Sequence, residues 1–324
     1  MKSPAHSSEP TMRLPTMPVL GKSNRTSRQN AAAETPSQPS RSRAAIPGGK
    51  SPANLADTLP ATGTDAKPSI RGRIGSPQPM DSKLDLRNPE KVNHQNSMHL
   101  MKVCEEAYTN PTYSVGHDGH SVGHTNFLYR KFADHQVLSY SGSKEIQDWA
   151  HDASIIKAPY KDMGMVHTGF SSAYEELKPL QYSVLGTTEI DKQTPLVITG
   201  HSLGGATATL AALDLKQKGY NVVSLTTFGC PRVGGSEFKA IYDKAGIPSY
   251  RYVNSYDMVP RIPKVAFEHV GTPFYLGSDG KMLDKQEPIE KLAPNAFEMA
   301  KQRVSSHHLV NYEANLAKIM ASGS

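Results

Sequence analysis

The chain has 324 residues and a formal net charge of +6, unevenly placed: residues 1–80 hold 11 Lys and Arg against 4 Asp and Glu, which leaves the remainder at −1. That first quarter also carries 12 of the 24 prolines and 11 serines but no Phe, Trp or Tyr, so it lacks the apolar surface needed to offset its ordering entropy. No run approaches the ~18 apolar residues of a membrane span, no 7–15-residue apolar stretch of a secretory signal opens the chain, and the basic excess lacks the aromatic interleaving that nucleic-acid binding uses.

Taken in chain order, residues 1–81 read as a disordered Ser/Pro/Arg-rich region and residues 82–324 as one domain, long enough to bury a full core. Met98, Met101, Cys104 and Tyr108 recur at helical spacing and predict a helix over 95–108 that opens the domain. The stretch 114–132 holds Gly116, Gly119 and Gly123 and reads as a loop or hairpin, with a strand starting at Phe127. Its histidines, His117, His120 and His124, have no matching carboxylate set and read as an exposed loop, not a metal site. Beyond it, strands at 137–140, 195–200, 221–229 and 249–257 alternate with helical stretches. That alternation predicts an α/β fold with a mostly parallel sheet flanked by helices. Cys104 and Cys230 have no metal-ligand spacing and read as small buried hydrophobes, so neither a disulfide framework nor a metal is expected.

The chemical centre is Gly200-His201-Ser202-Leu203-Gly204. A nucleophile elbow turns a strand so sharply into a helix that glycines are needed two residues either side of the serine, whose hydroxyl is then expected exposed at the helix N-terminus. A second match, Gly119 to Gly123 around Ser121, lacks both a preceding buried strand and a following helix. Ser202 has both: Leu196, Val197 and Ile198 before it, and the small residues Gly205, Ala206 and Ala208 after it. A nucleophilic serine needs a base and an orienting acid, which in this architecture follow in the order Ser, Asp, His. Asp257 lies just past a strand, where an acid reaches the active-site edge, although a turn role fits the same position. For the base there are His269, less favoured by position, and the pair His307 and His308.

At this point seven blocks resemble the class 3 lipase family: 137–149, 166–174, 197–215, 226–235, 251–263, 269–276 and 307–312. The resemblance covers roughly Met98 to Leu316 and implies an α/β-hydrolase fold and a serine ester hydrolase needing no metal or organic cofactor. Position by position it implies Ser202 as nucleophile, Asp257 as acid and His307 as base, because members commonly carry the base five residues before a Tyr, here Tyr312. His308 is the alternative. It also implies an oxyanion hole from the backbone N–H groups of Ser143 and Leu203. A lid is implied from Lys144 to about Asp162, with Ile146 and Trp149 as lipid-facing residues. One departure stands out: where the family has an Arg before the oxyanion-loop glycine, this chain has Ser141. Gly169 and Phe170 read as packing and turn positions, Pro231 and Arg232 as a tight turn, and His167, His201 and His269 as structural histidines.

The implied substrate is a lipid, either glycerophospholipid, galactolipid or acylglycerol, with peripheral membrane contact. The domain is further similar to lipase-domain type III effectors of plant-pathogenic bacteria, which makes residues 1–81 a secretion leader and the host cell its destination. A chloroplast transit peptide is the alternative for that region. A different class of function, a non-catalytic effector that binds phospholipid or a host protein in the hydrolase pocket, uses the same fold.

Overall fold

The computed structural model describes residues 69–72, 84–116, 125–142, 156–186, 188–286 and 305–322. The leading helix, α1 (His94–Thr109), starts where the Asn93 side chain accepts the Asn96 N–H, a polar cap on an otherwise unpaired donor. Strands β2 (Tyr113–Gly116) and β3 (Thr125–Lys131) pair antiparallel, and β3 pairs antiparallel with β4 (Gln136–Ser141). Between β4 and the next sheet strand lie the short antiparallel pair β5 (Lys157–Pro159) and β6 (Met165–His167) and two helices, α2 (Thr168–Leu185) and α3 (Glu189–Gln193). Then follow β7 (Leu196–His201), α4 (Leu203–Gln217), β8 (Val222–Phe228), α5 (Ser236–Lys244), β9 (Ser249–Asn254), β10 (Thr272–Leu276), β11 (Met282–Leu283) and α6 (Leu309–Ser322).

With β1 at Ser69–Gly72, the sheet order is β1-β2-β3-β4-β7-β8-β9-β10-β11. Strands β4, β7, β8, β9 and β10 run parallel, and antiparallel strands extend both edges. Strand β1 (Ser69–Gly72) pairs with β2, so the sheet begins ahead of the boundary at 82 drawn from composition. An edge strand draws its order from the backbone ladder of its neighbour and needs no aromatic core of its own, which composition cannot register.

Side chains alternate along the central strands and divide the core in two. Leu138, Tyr140 and Ile198 face α2 and α4, whereas Val137 and Val197 pack with Leu100 of α1 on the other side. Further along that second face, Phe228, Tyr252 and Leu276 meet Met101, Cys104, Tyr312, Leu316 and Ile319. Helix α4 is buried on every side from Leu203 to Leu215. Its small residues allow that close approach, and the hydroxyls of Thr207 and Thr209 bond back to the carbonyls of Leu203 and Gly205.

Helix α2, like α6, is a long element that the sequence reading did not assign. Gly169 and Phe170 fall in its first turn, and Phe170, Ala173, Tyr174, Leu177, Gln181 and Leu185 form its buried face at helical spacing. Pro231 and Arg232 are also placed differently from expectation. They lie in an irregular loop after β8, where the Arg232 N–H donates to Ile262 and its guanidinium to the carbonyls of Arg261 and Pro263. The arginine's reach, not a tight turn, fixes that segment.

Candidate active site

Strand β7 is buried along its whole length and leads directly into Ser202, whose backbone sits at φ 60° and ψ −131°. A non-glycine residue rarely adopts a positive φ, and the strain is held here by the Ser202 N–H donating to Phe228 O at 3.0 Å and its carbonyl accepting from Gly205 at 2.9 Å. The flanking glycines have definite reasons. A Cβ on Gly200 would lie 2.3 Å from the Gly204 carbonyl oxygen, and one on Gly204 would lie 2.2 Å from that of Tyr140. The expectation of an exposed hydroxyl needs correcting: Ser202 is only 1% exposed. The backbone at Gly142 packs against it so closely that a Cβ there would come within 2.7 Å of the serine Cβ.

Asp257 lies beyond the C-terminal end of β9 and is fully buried. One carboxylate oxygen, Oδ2, faces His307 Nδ1 at 2.8 Å and accepts the Tyr312 hydroxyl at 2.6 Å, while Oδ1 accepts the Val259 N–H at 2.9 Å. Three hydrogen-bond partners thus converge on that one carboxylate. His307 is 2% exposed, and its second ring nitrogen, Nε2, has no hydrogen-bond partner among the described residues. The ring that faces Asp257 therefore keeps one nitrogen uncommitted.

His307 also lies beside the elbow. Its ring lies against that of His201, the residue before Ser202, with centroids 4.7 Å apart and planes tilted by 33°. A Cβ on Gly229, which has φ 59°, would lie 2.9 Å from both Asp257 Oδ2 and His307 Cε1. The other two histidines are elsewhere. His308 is exposed, and its N–H bonds to Ser305. His269 bonds through Nε2 to the Pro260 carbonyl at 2.7 Å. Burial, helped by the nearby Arg251 charge, pushes its pKa down to about 2.

Of the remaining expected positions, Leu203 is the buried first residue of α4, whose N–H has no partner within the helix. Ser141 ends β4 with its hydroxyl buried and without a hydrogen-bond partner among the described residues. Ser143, Ile146 and Trp149 lie outside the described residues, as do Ser121 and His117, His120 and His124. His167 caps α2, with Nδ1 accepting the Gly169 N–H at 3.1 Å. Burial pushes the Cys104 thiol up to about 11 and the Cys230 thiol up to about 12, so both stay protonated. Among the described residues no group of His, Cys, Asp and Glu converges to hold a metal ion.

Sequence reasoning missed Asn254. Its side-chain amide donates to the carbonyl of Ser306 at 2.8 Å and its oxygen accepts from Asn315 at 3.0 Å, which ties the segment carrying His307 to the end of β9, three residues before Asp257. Tyr312 entered that reasoning only as a spacing mark, not as a hydrogen-bond donor to the carboxylate.

The family model for class 3 lipases matches residues 137–267. A lipase from Rhizomucor miehei is 38% identical over 152 residues, covering 43% of this chain and 41% of the relative. Phospholipase A1-II 1 from Oryza sativa subsp. indica is 32% identical over 162 residues, covering 42% of this chain and 41% of the relative. The chain thus spans about two fifths of the length of these curated relatives. Among solved structures, the Rhizomucor miehei lipase–propeptide complex aligns with a TM-score of 0.50 at 25% identity, over 65% of this chain and 82% of that one. A fungal lipase–inhibitor complex aligns with a TM-score of 0.50 at 24% identity, over 63% of this chain and 91% of that one, a likeness of fold. The fold is that of the α/β-hydrolases, with a mostly parallel central sheet.

Proposed function

We propose, from the match of residues 137–267 to the family model for class 3 lipases, that this protein is a serine ester hydrolase of lipase or phospholipase A type, acting on glycerolipids through Ser202, Asp257 and His307. The observation that carries the reading is the His307–Asp257 hydrogen bond, made beside a strained Ser202 and with His307 Nε2 left uncommitted.

In this reaction His307 Nε2 takes the Ser202 proton as Oγ attacks the ester carbonyl. Asp257 fixes the imidazole tautomer through Nδ1 and stabilises the imidazolium that forms. The oxyanion is held by the N–H groups of Leu203 and Ser143, and losing one such donor typically costs about 3–4 kcal/mol of transition-state stabilisation. The Gly142 N–H is spent on Tyr108 Oη at 2.8 Å and serves no such role. The leaving alcohol takes the proton from His307, and water then cleaves the acyl-serine by the same groups in reverse.

A lipid substrate agrees with the apolar side chains that stand exposed on the described surface: Ile156 at 59%, Val265 at 71% and Val310 at 67%. Ile156 and Val265 flank one joint, since Lys157 donates to the Ala266 carbonyl at 3.0 Å, and Val310 follows His307 on the first turn of α6. These residues favour peripheral contact with a lipid surface. In the same reading, the domain's resemblance to lipase-domain effectors makes residues 1–81, whose Ser/Pro/Arg-rich composition fits an unfolded leader, the leader of an effector delivered into host cells.

The test is fatty-acid release from phospholipid, galactolipid and acylglycerol suspensions by the full chain and by Ser202→Ala. Release by the wild type and none by the variant is expected, and the productive suspension names the substrate class. Equal release by both contradicts the assignment, as does lipid binding without release by either.

A further inference from the structure

The residue before the nucleophile is buried and bonded at both ring nitrogens. His201 Nε2 lies 2.8 Å from the His307 carbonyl, a group that only accepts, so Nε2 carries the proton. His201 Nδ1 lies 2.7 Å from Tyr108 Oη, and Tyr108 Oη accepts the N–H of Gly142 at 2.8 Å. A neutral His201 satisfies the whole set: Gly142 N–H to Tyr108, Tyr108 O–H to Nδ1, and Nε2–H to His307. A second proton on the ring would leave the tyrosine hydroxyl hydrogen without an acceptor. Burial, with the neighbouring His307, keeps the His201 pKa well below the ordinary histidine range, in agreement with that assignment.

We propose that Tyr108 and His201 are positioning residues, forming a hydrogen-bonded brace that fixes the loop after β4 relative to the segment carrying His307. The proposal rests on the serine hydrolase reading and extends it to residues that take no part in proton or acyl transfer. The brace joins four pieces of chain far apart in sequence: the end of α1, the end of β4, the end of β7 and the segment before α6. It meets the elbow at two points. Gly142 packs on Ser202, and the His201 ring lies tilted against that of His307. The brace and Asn254 act on successive carbonyls, His201 on that of His307 and Asn254 on that of Ser306. The base is thus set from the end of β7 and the end of β9 at once.

Displacing a catalytic group by about 1 Å can cost on the order of 100-fold in rate, so the brace acts on kcat more than on substrate affinity. The variants are Tyr108→Phe, His201→Leu, His201→Gln and the double Tyr108→Phe/His201→Leu, assayed for ester turnover, for labelling rate with a fluorophosphonate and for melting temperature. Each of the first two variants is expected to lower kcat and labelling about tenfold or more, with KM within about threefold. The double variant is expected to be no slower than the worse single one, because both changes cut the same chain of bonds. His201→Gln, which keeps an N–H for the His307 carbonyl, is expected to retain more turnover than His201→Leu. Folded variants that keep wild-type kcat and labelling while losing only melting temperature overturn the proposal, and so do strictly additive losses. In the wild type at neutral pH, imidazole 15N shifts are expected to show His201 protonated at Nε2 alone. The opposite tautomer overturns the brace even if every variant fails to fold. Wild-type protein that neither labels nor turns over contradicts the hydrolase reading itself, a different outcome from labelling that the variants leave unchanged.

Discussion

The side chain of Asn254 donates to the carbonyl of Ser306 at 2.8 Å, so the last residue of β9 holds the peptide just ahead of His307. Asn254 is 1% exposed, and the carbonyl it serves belongs to a turn ahead of α6. Asn254→Ala leaves that acceptor unpaired in the interior. A loss of about 1–3 kcal/mol in unfolding free energy is expected, together with a fall in kcat. Urea denaturation and steady-state turnover measured on the same sample check both effects.

Tyr312→Phe removes one of the three donors on Asp257 and leaves those from His307 and Val259. Hydrogen bonds to charged groups contribute about 1.5–3 kcal/mol, so kcat/KM is expected to fall roughly 10- to 100-fold with the fold intact. Turnover equal to wild type would mean that the tyrosine only packs.

Gly142→Ala places a methyl 2.7 Å from Ser202 Cβ and 2.8 Å from Tyr108 Oη, closer than atoms tolerate. The loop must move away, which breaks the Gly142–Tyr108 bond and displaces the residue that follows. Labelling of the serine is expected to drop more steeply than stability does. A variant with a wild-type labelling rate would show that the loop has more room than this packing gives it.

Asp214 is the buried charge of the α2–α4 interface, with Tyr174, Tyr182 and Lys178 as donors at 2.8, 2.6 and 2.9 Å. Burial pushes its pKa up, but the bonds from Tyr182, Lys178 and Tyr174 outweigh burial and hold it below the ordinary carboxylate value. The unfolded chain therefore binds the proton more readily, and the carboxylate stabilises the fold fully above about pH 4. That contribution is lost as pH falls through the depressed folded-state value. Asp214→Asn, which breaks a buried ion pair, is expected to cost about 3–5 kcal/mol near neutral pH and to flatten the acid limb of the stability profile. Denaturation midpoints of both proteins from pH 7 down to pH 3 check the sign.

The elbow was legible in the sequence because its requirements are local: a buried strand, glycines two residues either side of Ser202 and a small-residue helix all fall between Leu196 and Leu215. The parallel core of the sheet followed from the same alternation. Helix α2 went unassigned although Phe170, Tyr174, Leu177 and Gln181 keep helical spacing; it holds Gly169 near its start and Pro179 inside it, two residues of low helix propensity. Tyr108, His201 and Asn254 were not legible as a set. Their bonds span 93, 106 and 52 residues, and no local pattern encodes which buried polar groups meet across a sheet. Similarly, His307 and His308 are adjacent in sequence, and only packing separates a ring that faces Asp257 from one that faces outward.

The most direct test of the central claim is to label the full chain with a fluorophosphonate and locate the adduct by peptide mass spectrometry. The account predicts one adduct, on Ser202, formed far more slowly in His307→Ala. An adduct on Ser121, the serine of the second Gly-His-Ser motif, or no adduct at all on folded protein would contradict it.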